Sequence, residues 1–433
     1  MNKQREGQSA TVTDKGTAGK NRGTITTLIK RHCVLLVTLV SLGIQLVAAH
    51  FYTSFEPRAI PMDYHKRYRP QAETILAGGG LLLNGQARTP PAYPLALAAI
   101  YALTGTGPDT AALMLNIFLM ALTTAWLAAA TRRVLGCKIA LFAGLVFATY
   151  PFAVYLGLGL GPEPLYLCAL AFTVWLMAAT MGRHPLWAAL VGAATGCTML
   201  IKPIGILLPL FYAGVYLMAG PKNRAMTARL ARPLLVLSAS VLMILPWQMY
   251  INRHSDRMVL LSDIGRGTTL EGWTYGLTAG AGGDKSNLPG DVTELMKKVA
   301  REGDRASAAQ IYKIIIRAGR ERPVAFIKLT ALKLIRPWYG TDERWHERTI
   351  GLLQLLYLAL TAAGFAVWLK ERNGVVLIAA LAAITACHWL MAFATFSILR
   401  YLMPASFMIA LFTGILAGRS YELLHPWLRI KTN

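Results

Sequence analysis

Ionisable residues stand next to long apolar runs at three places in this sequence. Glu163 lies in GPEPLY, Lys202 in MLIKPIG and Arg400 in SILRYLMP. Charged side chains at the ends of membrane-spanning segments are costly, so they indicate function by default. A positioned carboxylate can accept a proton during a reaction, and fixed cations stabilise negative charge on a phosphate. These residue types therefore suit chemistry on a phosphorylated lipid.

The segment RAIPMDYHKRYRPQAETILAGGG contains a fourth candidate. It places Asp63 among Arg58, Lys66, Arg67 and Arg69, directly after the first apolar run. Arginine can bind phosphate through two parallel hydrogen bonds, so the basic residues fit a phosphate ligand or lipid headgroups. The cations cannot all face one site, and we expect one or two of them to contact only headgroups.

Each candidate also has a structural explanation. Glu163 can complement the dipole at a helix N-terminus, which is compatible with a functional role. Lys202 can extend its ammonium group toward the membrane surface. Tyr401, beside Arg400, can be an interfacial anchor. His65 is typical of a surface residue.

The composition is that of a polytopic membrane protein. Of 433 residues, 55% are hydrophobic and 15% are charged, and several apolar runs approach the roughly 20 residues that a bilayer requires. The net charge of +23 would suggest nucleic acid in a soluble protein, but Lys and Arg lie mainly in short connections and tails. That distribution is typical of topology signals. The five scattered cysteines predict neither a disulfide framework nor a zinc site.

Positive charges predict ten crossings with both termini in the cytoplasm. Lys30 and Arg31 place the N-terminus inside. The basic loop at 132–138 is also inside if the short apolar run 91–103 lies along the membrane without crossing it. The candidate residues then share the outer face: Asp63, Arg88, Glu163, Lys202 and Arg400.

The sequence divides into five segments. The N-terminal segment is polar and basic, as is typical of a disordered tail. The apolar run after it predicts an uncleaved membrane anchor. The alternative is a signal peptide that is cleaved before His50. Helical periodicity over 292–335 predicts a small helical region at the outer face. The segments are a cytoplasmic tail (1–32), an N-terminal transmembrane catalytic module (33–251) with its first outer loop at 53–90, an outer-face loop region (252–348), C-terminal transmembrane helices (349–420) and a cytoplasmic tail (421–433).

Several short motifs occur in an order that resembles GT-C membrane glycosyltransferases of the glycosyltransferase family 39 type. They are Asp63-x4-Tyr68-x3-Ala72, ARTPPAYPLALAAIYALTG, GPEPLY, KPIGILLPL, LPWQMYIN and RYLMP. The resemblance covers roughly residues 34–415 and is closest to protein O-mannosyltransferases and lipid A aminoarabinose transferases. It implies an all-α polytopic bundle of about ten transmembrane helices, with juxtamembrane helices in the first outer loop.

The resemblance implies that a sugar is transferred, with inversion, from a polyprenyl-phosphate donor to an acceptor at the outer face of the cytoplasmic membrane. The acceptor must lose a proton as it attacks the anomeric carbon, and Asp63 occupies the position of the family's essential acid. Fixed cations would stabilise the phosphate leaving group. The candidates for donor phosphate binding are Lys202, Arg400 and Arg88. The residues expected to bind substrate are Glu163, Tyr68 and Tyr401.

No cofactor is expected from the sequence. A divalent metal remains an alternative, because some relatives use one and Asp63, His65 and Glu163 could supply ligands, but the cations present do not need a metal to hold phosphate. The expected partners are the polyprenyl-phosphate sugar donor, membrane lipids and an unidentified glycan, lipid or protein acceptor, and not nucleic acid. A transporter or flippase is the alternative function, although no internal repeat supports it. A non-catalytic protein of an export complex is a third possibility.

Overall fold

The computed structural model describes residues 32–51, 63–220, 226–255, 259–274, 288–341 and 346–430. The regular structure of these residues is helical, apart from one antiparallel bridge between Leu83 and Gln86. The all-α fold class that the resemblance implied is therefore confirmed. The basic tail predicted at the N-terminus lies outside the described residues.

The helices follow the apolar runs of the sequence closely. The first ten are α1 (His32–Phe51), α2 (Arg69–Leu76), α3 (Ala92–Thr104), α4 (Pro108–Leu135), α5 (Cys137–Thr149), α6 (Pro151–Leu158), α7 (Glu163–Thr180), α8 (Trp187–Ile201), α9 (Leu208–Ala219) and α10 (Met226–Arg253). Those that follow are α11 (Gly265–Trp273), α12 (Gly290–Gly303), α13 (Ala308–Glu321), α14 (Pro323–Ile335), α15 (Glu347–Glu371), α16 (Val375–Ala394), α17 (Leu399–Leu402) and α18 (Ser406–Ile430).

Seven helical stretches among the described residues are long and apolar enough to cross a membrane: α1, α4, α7, α15, α16, most of α10, and Leu399–Leu424. α5 and α6 meet at a bend of 57° and together form an eighth candidate. α8 and the stretch Pro203–Ala219 are shorter apolar helices. These segments together agree with the bundle of about ten transmembrane helices that the sequence predicted.

Proline and glycine set the breaks between these segments. Pro151 begins α6 directly after Tyr150, whose extended backbone ends α5. Gly105 ends α3 in the left-handed conformation, with φ of 60°, which glycine adopts without steric cost. The 13 residues of α3 are fewer than the roughly 17 needed to span a bilayer. That α3 lies along the membrane stays a prediction.

Small residues allow the spans to pack closely. A Cβ atom at Gly364 of α15 would lie 1.9 Å from the carbonyl oxygen of Phe412 in α18. A Cβ atom at Gly414 of α18 would lie 2.6 Å from the amide nitrogen of Ala143 in α5. Such close backbone approach is typical of helix interfaces in membranes, where packing rather than the hydrophobic effect drives association.

The predicted helical region after α10 is formed by α11 to α14, which share their own hydrophobic core. Ser307 and Gln310 form a capping box at the start of α13, which satisfies amide groups that the first turn leaves unpaired. Val299, Ile311 and Leu329 from three different helices are almost fully buried in this core. The region is therefore a folded unit next to the spans.

Candidate active site

Three predicted residues meet at one end of the bundle. The Lys202 ammonium lies 2.8 Å from Glu163 Oε1, and Arg400 Nε lies 3.6 Å from the same oxygen. Only 10% of the Glu163 side chain and 13% of the Lys202 side chain are exposed. One carboxylate between two cations leaves a formal net charge of +1. The cluster is therefore suited to bind a further anion.

Glu163 begins α7, and a buried hydrogen-bond network shapes the turn before it. The Asn116 amide of α4 donates to the carbonyl oxygens of Gly159 at 2.6 Å and Gly161 at 3.2 Å. The Tyr93 hydroxyl of α3 donates to the Leu160 carbonyl oxygen at 2.9 Å. A side chain at position 161 would displace the Glu163 carboxylate, because a Cβ atom at Gly161 would lie 2.2 Å from Glu163 Oε2.

Lys202 lies at the break between two apolar helices. α8 ends at Ile201, and Lys202 takes an extended conformation with φ of −142° before Pro203. Proline disfavours a helical conformation in the residue before it, which explains the break. The extended backbone lets the Lys202 side chain reach Glu163 at the start of α7.

Tyr401 faces both cations. The Lys202 ammonium lies 5.0 Å from the centre of the Tyr401 ring, and the Arg400 guanidinium carbon lies 5.7 Å from it. Both distances are within the range of cation–π attraction. Tyr401 therefore contributes to the site through its ring, in addition to any role as an interfacial anchor.

Two buried cations at and just after the end of α14 hold the segment that carries Arg400. The Lys333 ammonium donates to the Thr395 carbonyl oxygen at 2.7 Å, and the Arg336 guanidinium donates to the Ser397 carbonyl oxygen at 3.3 Å. The Leu399 amide donates to the Gly340 carbonyl oxygen at 2.8 Å. The residues just before Arg400 are thus fixed from outside the bundle. Their positions in the outer loop gave no sign of this contact.

A narrow cleft opens at the charged cluster. Its walls are formed by the three charged side chains together with mostly apolar residues, which are Tyr166, Leu167, Ile204, Tyr401, Met403 and Pro404. The free volume of about 10 Å³ corresponds to roughly one water molecule. The described conformation is therefore closed, and a larger ligand requires side chains to move apart.

Asp63 lies at the start of a short π-helical segment, Tyr64–Tyr68, between α1 and α2. Its carboxylate is 3.5 Å from the Arg67 guanidinium, and 43% of the Asp63 side chain is exposed. Tyr68 links this loop to the cluster: burial raises the pKa of its hydroxyl, and the Glu163 and Asp63 carboxylates raise that pKa further. Both carboxylates therefore act on the same tyrosine.

A second polar network fixes the helix that begins at Asp63. The Tyr64 hydroxyl donates to Asp109 Oδ1 at 3.0 Å and lies 2.9 Å from the Tyr101 hydroxyl. Arg69 also donates to Asp109 at 3.1 Å. The segment from Tyr64 to Arg69 is thereby tied to the N-terminus of α4.

Two of the residues considered from the sequence lie away from the cleft walls. Arg88 is exposed, and its Nε donates to Gln86 Oε1 at 2.8 Å. His65 is also exposed and contacts the ring of Tyr64 edge-on. The described conformation does not bring either residue to the charged cluster.

Tyr166 and His388 form a buried pair below the cluster that the sequence did not identify. The Tyr166 hydroxyl lies 2.8 Å from His388 Nε2, and His388 Nδ1 lies 2.7 Å from the Ile384 carbonyl oxygen. A carbonyl only accepts, so Nδ1 carries the proton and a neutral ring accepts from Tyr166 through Nε2. The only sign in the sequence is a histidine inside the apolar run of α16.

The side chains at the charged cluster are poorly suited to bind a divalent metal ion. Across the described residues, no group of three or more His, Cys, Asp or Glu side chains is arranged to hold one. The carboxylate of Glu163 is already bound by Lys202 and Arg400. Oxygen ligands for a hard cation are poorly placed beside two fixed positive charges.

Comparisons with known proteins agree with the fold. Residues 88–250 match the profile of the family described as dolichyl-phosphate-mannose-protein mannosyltransferase. The structure is similar to that of an oligosaccharyltransferase from Archaeoglobus fulgidus tethered to an acceptor peptide, with a TM-score of 0.58 and 13% identity over 93% of this chain and 51% of that chain. The archaeal oligosaccharyltransferase AglB from Archaeoglobus fulgidus, bound to an inhibitory peptide and a dolichol-phosphate, matches with a TM-score of 0.56, 12% identity and the same coverage.

ArnT from Cupriavidus metallidurans bound to undecaprenyl phosphate is a further match, with a TM-score of 0.44 and 17% identity over 91% of this chain and 79% of that chain. No curated protein sequence matches. The chain spans about half the length of the archaeal oligosaccharyltransferase. The family match and the shared fold confirm the resemblance to GT-C membrane glycosyltransferases that the motifs indicated.

Proposed function

We propose that this protein transfers a sugar from a polyprenyl-phosphate-linked donor to an acceptor at the outer face of the cytoplasmic membrane. The observation that carries the proposal is the buried cluster of Glu163, Lys202 and Arg400 at one end of the spans. The family match to mannosyltransferases and the dolichol-phosphate named in the AglB complex support a lipid-linked donor.

The cluster is suited to the donor phosphate. A phosphate linked to both a sugar and a lipid carries one negative charge, and the leaving polyprenyl phosphate gains a second as the glycosidic bond breaks. Lys202 and Arg400 would stabilise that added charge where it develops, which is the kind of interaction that accelerates a reaction. Glu163 keeps the two cations at a fixed separation and compensates for their mutual repulsion when the site is empty.

Asp63 is proposed as the general base. An acceptor hydroxyl attacks the anomeric carbon, its proton passes to the Asp63 carboxylate, and the carbon–oxygen bond to the donor phosphate breaks on the opposite side. This single displacement inverts the anomeric centre. The exposed carboxylate and its anchored π-helical segment fit an acceptor that approaches from the aqueous side. Tyr68 and Tyr401 are proposed to contact the sugar and the phosphate. Arg88 is proposed to bind phosphate only after the loop rearranges, because it now contacts Gln86.

The proposal is tested by mass spectrometry of envelope lipids and glycans from a strain that lacks the gene. The wild-type chain should restore one glycosylated product, and Asp63→Asn should not, although the variant should still insert into the membrane. Glu73→Gln is a matched control, because Glu73 is an exposed carboxylate in the same loop that pairs with Arg69 at the surface. Unchanged product with Asp63→Asn would rule out the base. Net movement of a lipid-linked substrate in vesicles without any transfer would favour a flippase.

A further inference from the structure

α14 presents apolar side chains on two opposite faces. One face packs in the core of the outer helical region through Ala325, Leu329 and the stem of Lys333. The other face is exposed over the whole length of the helix. Val324 and Ile327 are 62% and 67% exposed, values that are unusual for β-branched residues at helical spacing.

The exposed apolar face of α14 consists of Val324, Ile327, Ala331, Leu334 and Ile335. These positions follow the i, i+3, i+7 spacing of one helix stripe. A contiguous apolar patch on a soluble surface indicates an interaction site. The apolar composition of this face therefore indicates that it contacts an apolar partner.

The neighbours of α14 identify that partner. Trp389 Nε1 of the spanning helix α16 donates to the Leu334 carbonyl oxygen at 2.8 Å, and the Lys333 ammonium donates to Thr395 just after α16 ends. Leu390, next to Trp389, is 48% exposed on a helix whose composition suits the bilayer. The apolar face of α14 thus adjoins the lipid-facing surface of α16, at a tryptophan of the kind that marks a membrane interface.

We propose that α14 is a membrane-surface helix whose exposed apolar face inserts among the lipids of the leaflet on the side of the charged cluster. An apolar helix face that lies in the interface plane is stabilised by burial among acyl chains. The link to the site is direct, because Arg336 and Gly340, which follow α14, contact the segment just before Arg400. This inference concerns membrane contact and does not depend on the transferase proposal.

Spin labels test the inference on the full chain in phospholipid nanodiscs. A nitroxide is attached at Ile327→Cys or, separately, at Val324→Cys, in a background where Cys137 and Cys197, the two partly exposed cysteines, are replaced by serine. Lys297→Cys on α12 is the control, because Lys297 is an exposed polar position of the same region. Two positions on the face keep the test valid if one variant does not fold.

The measured quantity is the accessibility of each label to oxygen, which partitions into lipid, relative to a water-soluble nickel chelate. We expect this ratio to be several-fold higher at Ile327→Cys and Val324→Cys than at Lys297→Cys. Equal ratios at the three positions would show that water covers the face and would overturn the inference. Labels shielded from both reagents would show that protein covers the face and would overturn it as well.

Discussion

Replacing Lys202 by methionine removes one cation of the charged cluster while keeping a side chain of similar length. The Glu163 carboxylate then loses its 2.8 Å partner and keeps Arg400 at 3.6 Å. Breaking a buried ion pair costs about 3–5 kcal/mol when the remaining charge has no other partner. Because Arg400 remains, we expect Lys202→Met to lower the free energy of unfolding by about 2–3 kcal/mol, below that range.

The double variant Glu163→Gln with Lys202→Met removes the pair and also takes the Glu163 carboxylate away from Arg400. We therefore expect its loss of stability to be smaller than the sum of the losses in Lys202→Met and Glu163→Gln, but not to vanish. Thermal unfolding of the wild-type chain, the two single variants and the double variant in nanodiscs gives the coupling energy between the two side chains. Transfer activity should behave differently: we expect Lys202→Met and the double variant to be slower by roughly 10²–10³, the cost of losing one group that stabilises developing charge. Additive losses of stability, or wild-type transfer by the double variant, would refute the reasoning.

Three further predictions concern the groups that surround the cluster. Gly161→Ala should displace the Glu163 carboxylate, because the new methyl would lie 2.2 Å from Oε2, and sugar transfer should fall sharply. Gly159→Ala is the control: its new methyl would lie 3.4 Å from the nearest neighbour, so transfer should be retained. Asp109→Asn should weaken the contacts that Tyr64 and Arg69 make with α4. Limited proteolysis around Tyr64 should therefore become faster, whereas proteolysis around Lys202 should not change. Stability should fall as pH rises through about 10, since tyrosines ionise there in the unfolded chain while burial keeps the pKa of Tyr68 higher in the folded protein. Tyr68→Phe should make the melting temperature less dependent on pH. Some dependence should remain, because burial also raises the pKa of Tyr64.

The membrane-spanning architecture could be predicted because long apolar runs have few alternatives in a bilayer. The stretch 139–158 is apolar over most of its length in the sequence, and the structure bends it by 57° next to Pro151. Proline in a sequence marks where a helix can break, but whether the two halves remain aligned depends on packing. The amount of bend was therefore outside what the sequence could indicate.

The charged members of the site were also predictable, and for a physical reason. Ionisable groups beside apolar runs are rare, so Glu163, Lys202 and Arg400 stood out, and the topology argument assigned them to one face. Their contact distances depend on the turn held by Asn116, whose amide donates to the Gly159 and Gly161 carbonyl oxygens. A single buried amide inside a span carries no signal of the loop that it will bind.

The supporting side chains of the site were not predictable from the sequence. Tyr166 and His388 are separated by 222 positions and meet only through packing of α7 against α16. Lys333 and Arg336 read as ordinary cations of the outer loop, yet both are almost fully buried. Their role is to hold the segment before Arg400, because they donate hydrogen bonds to the carbonyl oxygens of Thr395 and Ser397.

In the proposed mechanism, a carboxylate at Asp63 and the cations beside Glu163 carry out sugar transfer from a lipid-linked donor. The most direct measurement is the conversion of a polyprenyl-phosphate sugar to free polyprenyl phosphate by the purified chain in proteoliposomes that contain envelope acceptors, followed by mass spectrometry. The wild-type chain should release polyprenyl phosphate together with a glycosylated acceptor, and Asp63→Asn should release neither. Equal release by the wild-type chain and Asp63→Asn, or none by the wild-type chain with any donor supplied, would contradict the claim.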